Sequence, residues 1–152
     1  MRRYGWIFVL VLLGTSLFTV PANSGSLSPE LQKELESSKH VYIQSTRADG
    51  SLSKAAEIWF MYHKGAVWVC SETTSHRVKR IQGGKTGAKI AVGKSDGPSF
   101  TAKGSIVKDA EVNKVLFETF AKKYASGWTS YEKEFQNGLA DGSRTLVKYD
   151  PE

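Results

Sequence analysis

Two tight-turn signals set close together, Ala48-Asp49-Gly50-Ser51 and His63-Lys64-Gly65, constrain this chain more than any other feature. The runs beside them are rich in β-branched and aromatic residues, and Asp-Gly between such runs is a strong hairpin signal. Val41 to Arg47 therefore reads as a strand with Val41, Ile43 and Ser45 on one face. Leu52 to Tyr62 reads as a long returning strand, and Ala66 to Ser71 as a third. The last five residues of the long strand, Ile58-Trp59-Phe60-Met61-Tyr62, are apolar on both faces. Such a strand needs cover on both sides, as in a barrel wall that also meets a helix or a second subunit.

The remaining elements follow from local signals. Ser28-Pro29-Glu30 combines a cap, a proline at the first helical position and an acid in the first turn, which predicts a helix to about Ser37 with Leu31 and Leu35 inward. Residues 74–82 predict a short helix with Val78 and Ile81 on its inner side, ended by Gly83-Gly84. Ala88 to Lys94 and Ser99 to Val107 read as paired strands around Asp96-Gly97-Pro98, with Phe100, Ala102, Gly104 and Ile106 on one face. Asp109 caps the longest helix, to about Ser126, whose apolar stripe is Val112, Val115, Leu116, Thr119, Phe120 and Tyr124. Gly127 to Gly142 has weak periodicity and reads as loop or broken helix, and Arg144 to Tyr149 as a final strand. About six strands and three helices result. Hairpin-linked strands with helices between groups predict a mainly β fold with flanking helices (α+β), a small closed six-stranded antiparallel barrel.

The first 24 residues read differently. Arg2 and Arg3 precede an apolar run of 14 residues, Ile7 to Val20, and then Pro21-Ala22-Asn23-Ser24. This is the pattern of a secretory signal peptide, 1–24, leaving a single domain at 25–152. The run is shorter than the roughly 20 residues of a spanning helix, so no stable membrane insertion is expected after cleavage. An uncleaved anchor is the other reading. Arg2-Arg3 also admits twin-arginine export, although Gly5 and Trp6 stand where a bulky apolar pair is usual. The expectation is an exported protein, periplasmic or secreted.

Removing residues 1–24 removes two arginines and no acid, so the net charge falls from +6 to +4. That is too mild and too scattered for a nucleic-acid stripe, and no nucleic-acid partner is expected. Cys70 is the single cysteine and cannot form an internal disulfide. Within an apolar strand it reads as a small buried side chain.

The stretch from Ser71 to Ile81 carries the functional signal. Ser71, Thr73, Thr74 and Ser75 stand directly ahead of His76, Arg77, Lys79 and Arg80. Free N–H groups at a helix start, hydroxyl donors and fixed positive charge together suit a phosphate. Arg77 can hold two phosphate oxygens at once, and Lys54 on the neighbouring strand can approach the same place. The string also fits a capped, solvent-facing basic helix, and taken alone it does not choose between the two. Other motifs carry less. Gly84-Lys85-Thr86 lacks the earlier glycine of a P-loop, since position 79 is Lys79. His40, His63 and His76 have no zinc-ligand spacing. Trp59, Trp68 and Trp128 read as core or dimer contacts.

The run from Leu27 to Val107 resembles the pyridoxamine 5′-phosphate oxidase-like family, the FMN-binding split barrels. The resemblance is carried in order by LSPELQKELESSKHVYIQSTRADGSLSKAAEIWFMY, VWVCSETTSHRVKRI and AKIAVGKSDGPSFTAKGSIVKD. It covers roughly two thirds of the chain beyond residue 24. It implies a six-stranded antiparallel split β-barrel working as a homodimer, with flavin at the subunit interface. It further implies that the strand Ser53 to Trp59, including Lys54, Ala55, Ala56 and Glu57, lies along the flavin ring and ribityl chain. Cys70 and Ser71 would contact ring or phosphate, and Ser75, His76 and Arg77 the phosphate. Family members commonly have Arg then Lys after that serine, and here His76 and Arg77 follow it. Histidine carries less charge than lysine at pH 7, and Lys79 or Arg80 would compensate.

The chain departs from the vitamin B6 oxidases in one respect. Gly127 to Glu152 holds only Lys133, Arg144 and Lys148, not their C-terminal basic substrate clamp. B6 oxidation is therefore not expected. The resemblance implies instead an FMN-dependent oxidoreductase with a small-molecule electron donor or acceptor. The alternatives are a deazaflavin-dependent reductase, or a non-catalytic module carrying haem or flavin.

Overall fold

The closing of the barrel is decided at Trp59 and Phe60. In the computed structural model, which describes residues 25–152, the segment expected as one long strand is two short ones: β2 (Ala56–Ile58) and β3 (Met61–His63). The others are β1 (Val41–Ser45), β4 (Ala66–Glu72), β5 (Gly87–Val92), β6 (Ser99–Val107) and β7 (Arg144–Pro151). They form a seven-stranded antiparallel sheet in the order β2-β1-β5-β6-β7-β4-β3. The two edge strands are thus consecutive in the chain, and the curled sheet is bridged by a single extended segment.

The expected six strands become seven because the backbone at the bridge has other partners. The Phe60 N–H donates to the Tyr124 hydroxyl at 3.0 Å, and the Phe60 carbonyl accepts from Lys123 Nζ at 3.2 Å. The Tyr124 hydroxyl in turn donates to the Lys39 carbonyl at 2.8 Å. Buried backbone groups must be paired, and here side chains of a helix do what a neighbouring strand would otherwise do. The stretch before β2 is also less regular than expected. It is joined to β1 by the Thr46–Leu52 bridge and by Ser53, whose Oγ accepts the Ser45 N–H at 3.0 Å.

Four helices flank the sheet: α1 (Pro29–Ser37), α2 (His76–Gln82), α3 (Ala110–Lys123) and α4 (Ala125–Asp141). Ser28 caps α1, Ser75 caps α2 and Asp109 caps α3 through their side-chain oxygens, as the sequence signals require. The fourth helix corrects the reading of Gly127 to Gly142 as loop or broken helix. Trp128, Phe135 and Leu139 make its inner face, but Gly127 and Gly138 dilute the periodic signal. Both glycines sit where the helix approaches a neighbour closely. A Cβ at Gly138 would lie 2.7 Å from Arg144 Cγ, and one at Gly127 would lie 3.2 Å from the Trp59 ring. The helix ends at Gly142, whose φ of 82° is the left-handed cap that glycine takes without strain.

The core has two compartments. Inside the barrel, Val41, Ile43, Phe60, Val67, Val69, Ile90, Val147 and Tyr149 pack with Leu35 of α1 and Val78 of α2. Outside it, α3 and α4 lay Leu116, Phe120, Tyr124 and Trp128 over Met61, Trp68, Cys70 and Leu146. The strand β4 is therefore buried on both faces through Ser71. Among the described residues no helix is long and apolar enough to cross a membrane. The expected signal peptide lies outside the described residues.

Candidate functional site

Three adjoining spaces run along one side of the barrel as a single groove. The first is a cleft of about 360 Å³ between α2 and the β1–β2 connection, with Arg47, Lys54, His76, Arg77 and Arg80 on its walls. The second, about 200 Å³, is lined by Ile58, Cys70, Ser71, Glu72, Ser75, Arg77 and Arg144. The third, about 420 Å³, is bounded by Trp59, Tyr131, Phe135, His40, Glu57 and Arg144. Ser75 and Arg77 belong to both the first and second spaces. Ile58, Cys70 and Arg144 belong to both the second and third. The groove therefore leads from a cationic end to an aromatic end.

The cationic end is built by α2. Val78 is buried in the barrel and anchors the helix, and Ser75 fixes its start by accepting the Val78 N–H at 3.4 Å. Arg77 and Arg80, three residues apart, then share one side of the helix. Arg77 Nη1 donates to Ser71 Oγ at 2.9 Å, and Arg80 Nη1 donates to Ser45 Oγ at 2.7 Å. Those serines are small, polar and buried, and each holds a guanidinium without neutralising it. Among the described residues no carboxylate lies within 4.0 Å of Arg47, Lys54, Arg77 or Arg80.

Arg77 is the unusual member. Its Nε is buried and has no hydrogen-bond partner. Burial lowers its pKa from the ordinary guanidinium range, with the nearby Tyr149 acting in the opposite direction. The Tyr149 hydroxyl is likewise buried and unpartnered, and burial pushes its pKa up to about 12. Unpaired buried donors cost about 1–3 kcal/mol, and more when charged, a cost that nothing among the described residues offsets at this Nε.

The aromatic end rests on the bridge between β2 and β3. Trp59 stacks on Tyr124 with ring centroids 4.4 Å apart and planes 6° from parallel, and Tyr131 meets its edge at 5.8 Å. Arg144 lies over the Phe135 ring at 4.5 Å, forms an ion pair with Glu134 and approaches Glu72 at 3.5 Å. Burial pushes the Cys70 thiol up to about 11, so it is a neutral wall of the groove. Across the cavity His40 Nε2 stands 3.8 Å from Glu57 Oε1, and the other Glu57 oxygen accepts the Tyr42 hydroxyl.

The residues singled out from sequence fall as follows. Lys54, Ala56, Ser75, His76 and Arg77 line the cationic cleft. Ser71 lines the middle, Cys70 the middle and the aromatic cavity, and Glu57 the aromatic cavity. Ala55 is half-buried and lines none of the three, and Lys79 is exposed on α2 and lines none of them either. Trp68 and Trp128 are buried in the helix-side core, whereas Trp59, expected as core or dimer contact, also walls the cavity. Sequence reasoning missed Arg47, Tyr131, Phe135 and the position of Arg144. Tyr131 and Phe135 are four apart on α4, a spacing hidden while that segment read as loop. Among the described residues no group of three or more His, Cys, Asp or Glu is placed to hold a metal.

No protein-family model and no curated protein matches this sequence. Solved structures do. HutZ, the heme storage protein from Vibrio cholerae, is 16% identical over 84% of this chain and 92% of its own, with a TM-score of 0.57. A Clostridium acetobutylicum protein related to general stress protein 26 of B. subtilis, of the pyridoxinephosphate oxidase family, is 19% identical over 81% of this chain and 82% of its own, at 0.58. An F420 reductase is 15% identical over 80% and 92%, at 0.52. Likeness at these identities shows the fold: the chain is a split barrel of the pyridoxamine 5′-phosphate oxidase-like type.

Proposed function

We propose that this split barrel binds FMN in the groove and serves as a flavin-dependent oxidoreductase for a small-molecule electron donor and acceptor. One observation carries the reading. Arg77, a half-buried guanidinium whose buried Nε has no partner, stands where a carboxylate-free cationic cleft joins a path to an aromatic cavity. A phosphate, a polyol chain and a planar ring call for those three environments in that order.

The residues present fit the group. Arg77, Ser75 and His76 would hold the phosphate, with Lys54 adding charge. Ser71 and Cys70 would border the chain, and Trp59, Tyr131 and Phe135 would flank the ring. Bound there, the isoalloxazine would supply the electron-transfer chemistry. The protein's own part is to orient the ring against the aromatic wall, to neutralise the phosphate and to exclude water with the half-buried Ile58 and Trp59.

The reading extends to a homodimer and to export. Tyr131 remains 49% exposed beside the cavity, and a second copy would cover it. Titration of the purified chain with FMN, followed by flavin absorbance and fluorescence, tests the binding. Absence of binding at micromolar FMN removes the proposal.

The names of two neighbours are compatible with two other cofactors for this chain. One is named as a heme storage protein and another as an F420 reductase. A haem carrier would show a Soret shift on haem titration. A deazaflavin reductase would prefer the deazaflavin over FMN in direct competition.

A further inference from the structure

Lys123, at the end of α3, is drawn onto an aromatic ring and left without an acid. Its Nζ lies 3.3 Å from the centroid of the buried Phe60 ring, and its hydrogen-bond acceptor is the neutral Phe60 carbonyl at 3.2 Å. Among the described residues no carboxylate lies within 4.0 Å of this amine. On its own helix the Tyr124 ring lies 5.6 Å away, with its hydroxyl engaged by the Phe60 N–H and the Lys39 carbonyl. From the segment between α1 and β1 comes a second cation: Lys39 Nζ donates to the Lys123 carbonyl at 2.6 Å. A ring face attracts an ammonium, but here it also takes the place of water, and Lys39 repels the charge. The balance holds Lys123 down to about 8, through burial first and Lys39 second. An amine desolvated beside another cation is an activated nucleophile.

We propose that Lys123 is a carbamate-forming site: its neutral amine takes up carbon dioxide, and Lys39 balances the carboxylate that results. The nitrogen lone pair forms the N–C bond, one C=O electron pair moves onto oxygen, and the nitrogen releases one proton to water. The product, –NH–COO⁻, keeps an N–H that can donate to the Phe60 carbonyl, so the contact that holds the bridge survives. Lys39 selects carbon dioxide over an acyl donor. An acyl adduct is neutral and gains nothing from a nearby cation, whereas the carbamate turns a repelling pair of lysines into an attracting one. The site is independent of the flavin reading, because Lys123 lines none of the three spaces of the groove.

The test equilibrates the purified chain with isotopically labelled bicarbonate at about pH 8, traps carbamates as alkyl esters with a trialkyloxonium salt, and locates them by peptide mass spectrometry. Lys123 should carry at least about tenfold more label than any other lysine, because an ordinary lysine is almost wholly protonated at that pH. The α-amino group also titrates near pH 8, and its label falls on a separate peptide. The assignment uses the unsubstituted chain, so it does not depend on a variant that folds. Lys39→Gln, at an exposed position, should lower the label on Lys123 at least about twofold, since one exposed charge pair is worth that much. Label spread evenly over the lysines, or label on Lys123 undiminished in Lys39→Gln, overturns the proposal.

Discussion

The Tyr124 hydroxyl accepts the Phe60 N–H at 3.0 Å and donates to the Lys39 carbonyl at 2.8 Å, so one phenol ties α3 to the bridge of the barrel and to the residue after α1's cap. The bridge carries Trp59, which stacks on the same Tyr124 ring and walls the aromatic cavity. The closure of the fold and the shape of the site thus depend on one side chain.

Tyr124→Phe keeps the ring and removes the hydroxyl. The buried Phe60 N–H then loses its partner, and the expected cost is about 1–3 kcal/mol. Urea denaturation checks this. The midpoint should fall with the slope unchanged, because the surface exposed on unfolding is the same.

Gly138→Ala and Gly127→Ala separate close approach from helix propensity. Each gains about 1 kcal/mol of helix preference. At Gly138 the added methyl meets Arg144 Cγ at 2.7 Å and Cδ at 2.8 Å, in the middle of a side chain fixed over Phe135. Overpacking there costs about 1–3 kcal/mol and wins. At Gly127 the nearest atoms are Trp59 ring carbons at 3.2 Å and 3.3 Å, and the two effects should nearly cancel. Thermal unfolding of both variants reads the difference.

Alkaline pH should change stability in two opposed directions. Burial, and then the charge of Lys39, hold the Lys123 ammonium down to about 8 from the ordinary 10.5. Between those values the unfolded chain keeps a proton that the folded chain has released, so stability rises with pH. Burial pushes the Cys70 thiol up to about 11 from 9.0. Over that range the unfolded thiol is ionised and the folded one is not, so stability falls. The rise should be confined to about pH 8–9. Lys123→Met should abolish it, and Cys70→Ala should extend it upward, both read by denaturant midpoints across the pH series.

Much of this architecture was legible in the sequence. The caps at Ser28 and Asp109, the hairpin turn at Asp49-Gly50 and the alternation along Phe100 to Ile106 each state a local preference that the fold keeps. The placing of Ser75 and Arg77 beside Ser71 was also readable, because a β-strand running into a capped helix fixes their distance. Two things were not. The break at Trp59-Phe60 depends on Tyr124 and Lys123, more than 60 residues away, and strand periodicity cannot show it. The aromatic wall of Tyr131 and Phe135 was hidden because Gly127 and Gly138 weaken the helical pattern for reasons found only in the packing partners.

Arg77→Ala should weaken FMN binding by about 1.5–3 kcal/mol, the range for hydrogen bonds to charged groups. Lys33→Ala, exposed on α1 and away from the groove, should leave binding unchanged. Equal losses in the two variants, measured by flavin fluorescence, would mean that no localised phosphate site exists.

The most direct measurement compares FMN with riboflavin, which has the same ring and chain but no phosphate, by fluorescence titration of the purified chain. If Arg77 awaits a phosphate at the junction of the cationic cleft and the aromatic cavity, FMN should bind at least about tenfold tighter than riboflavin. Equal binding of the two, or binding of neither, would contradict the account.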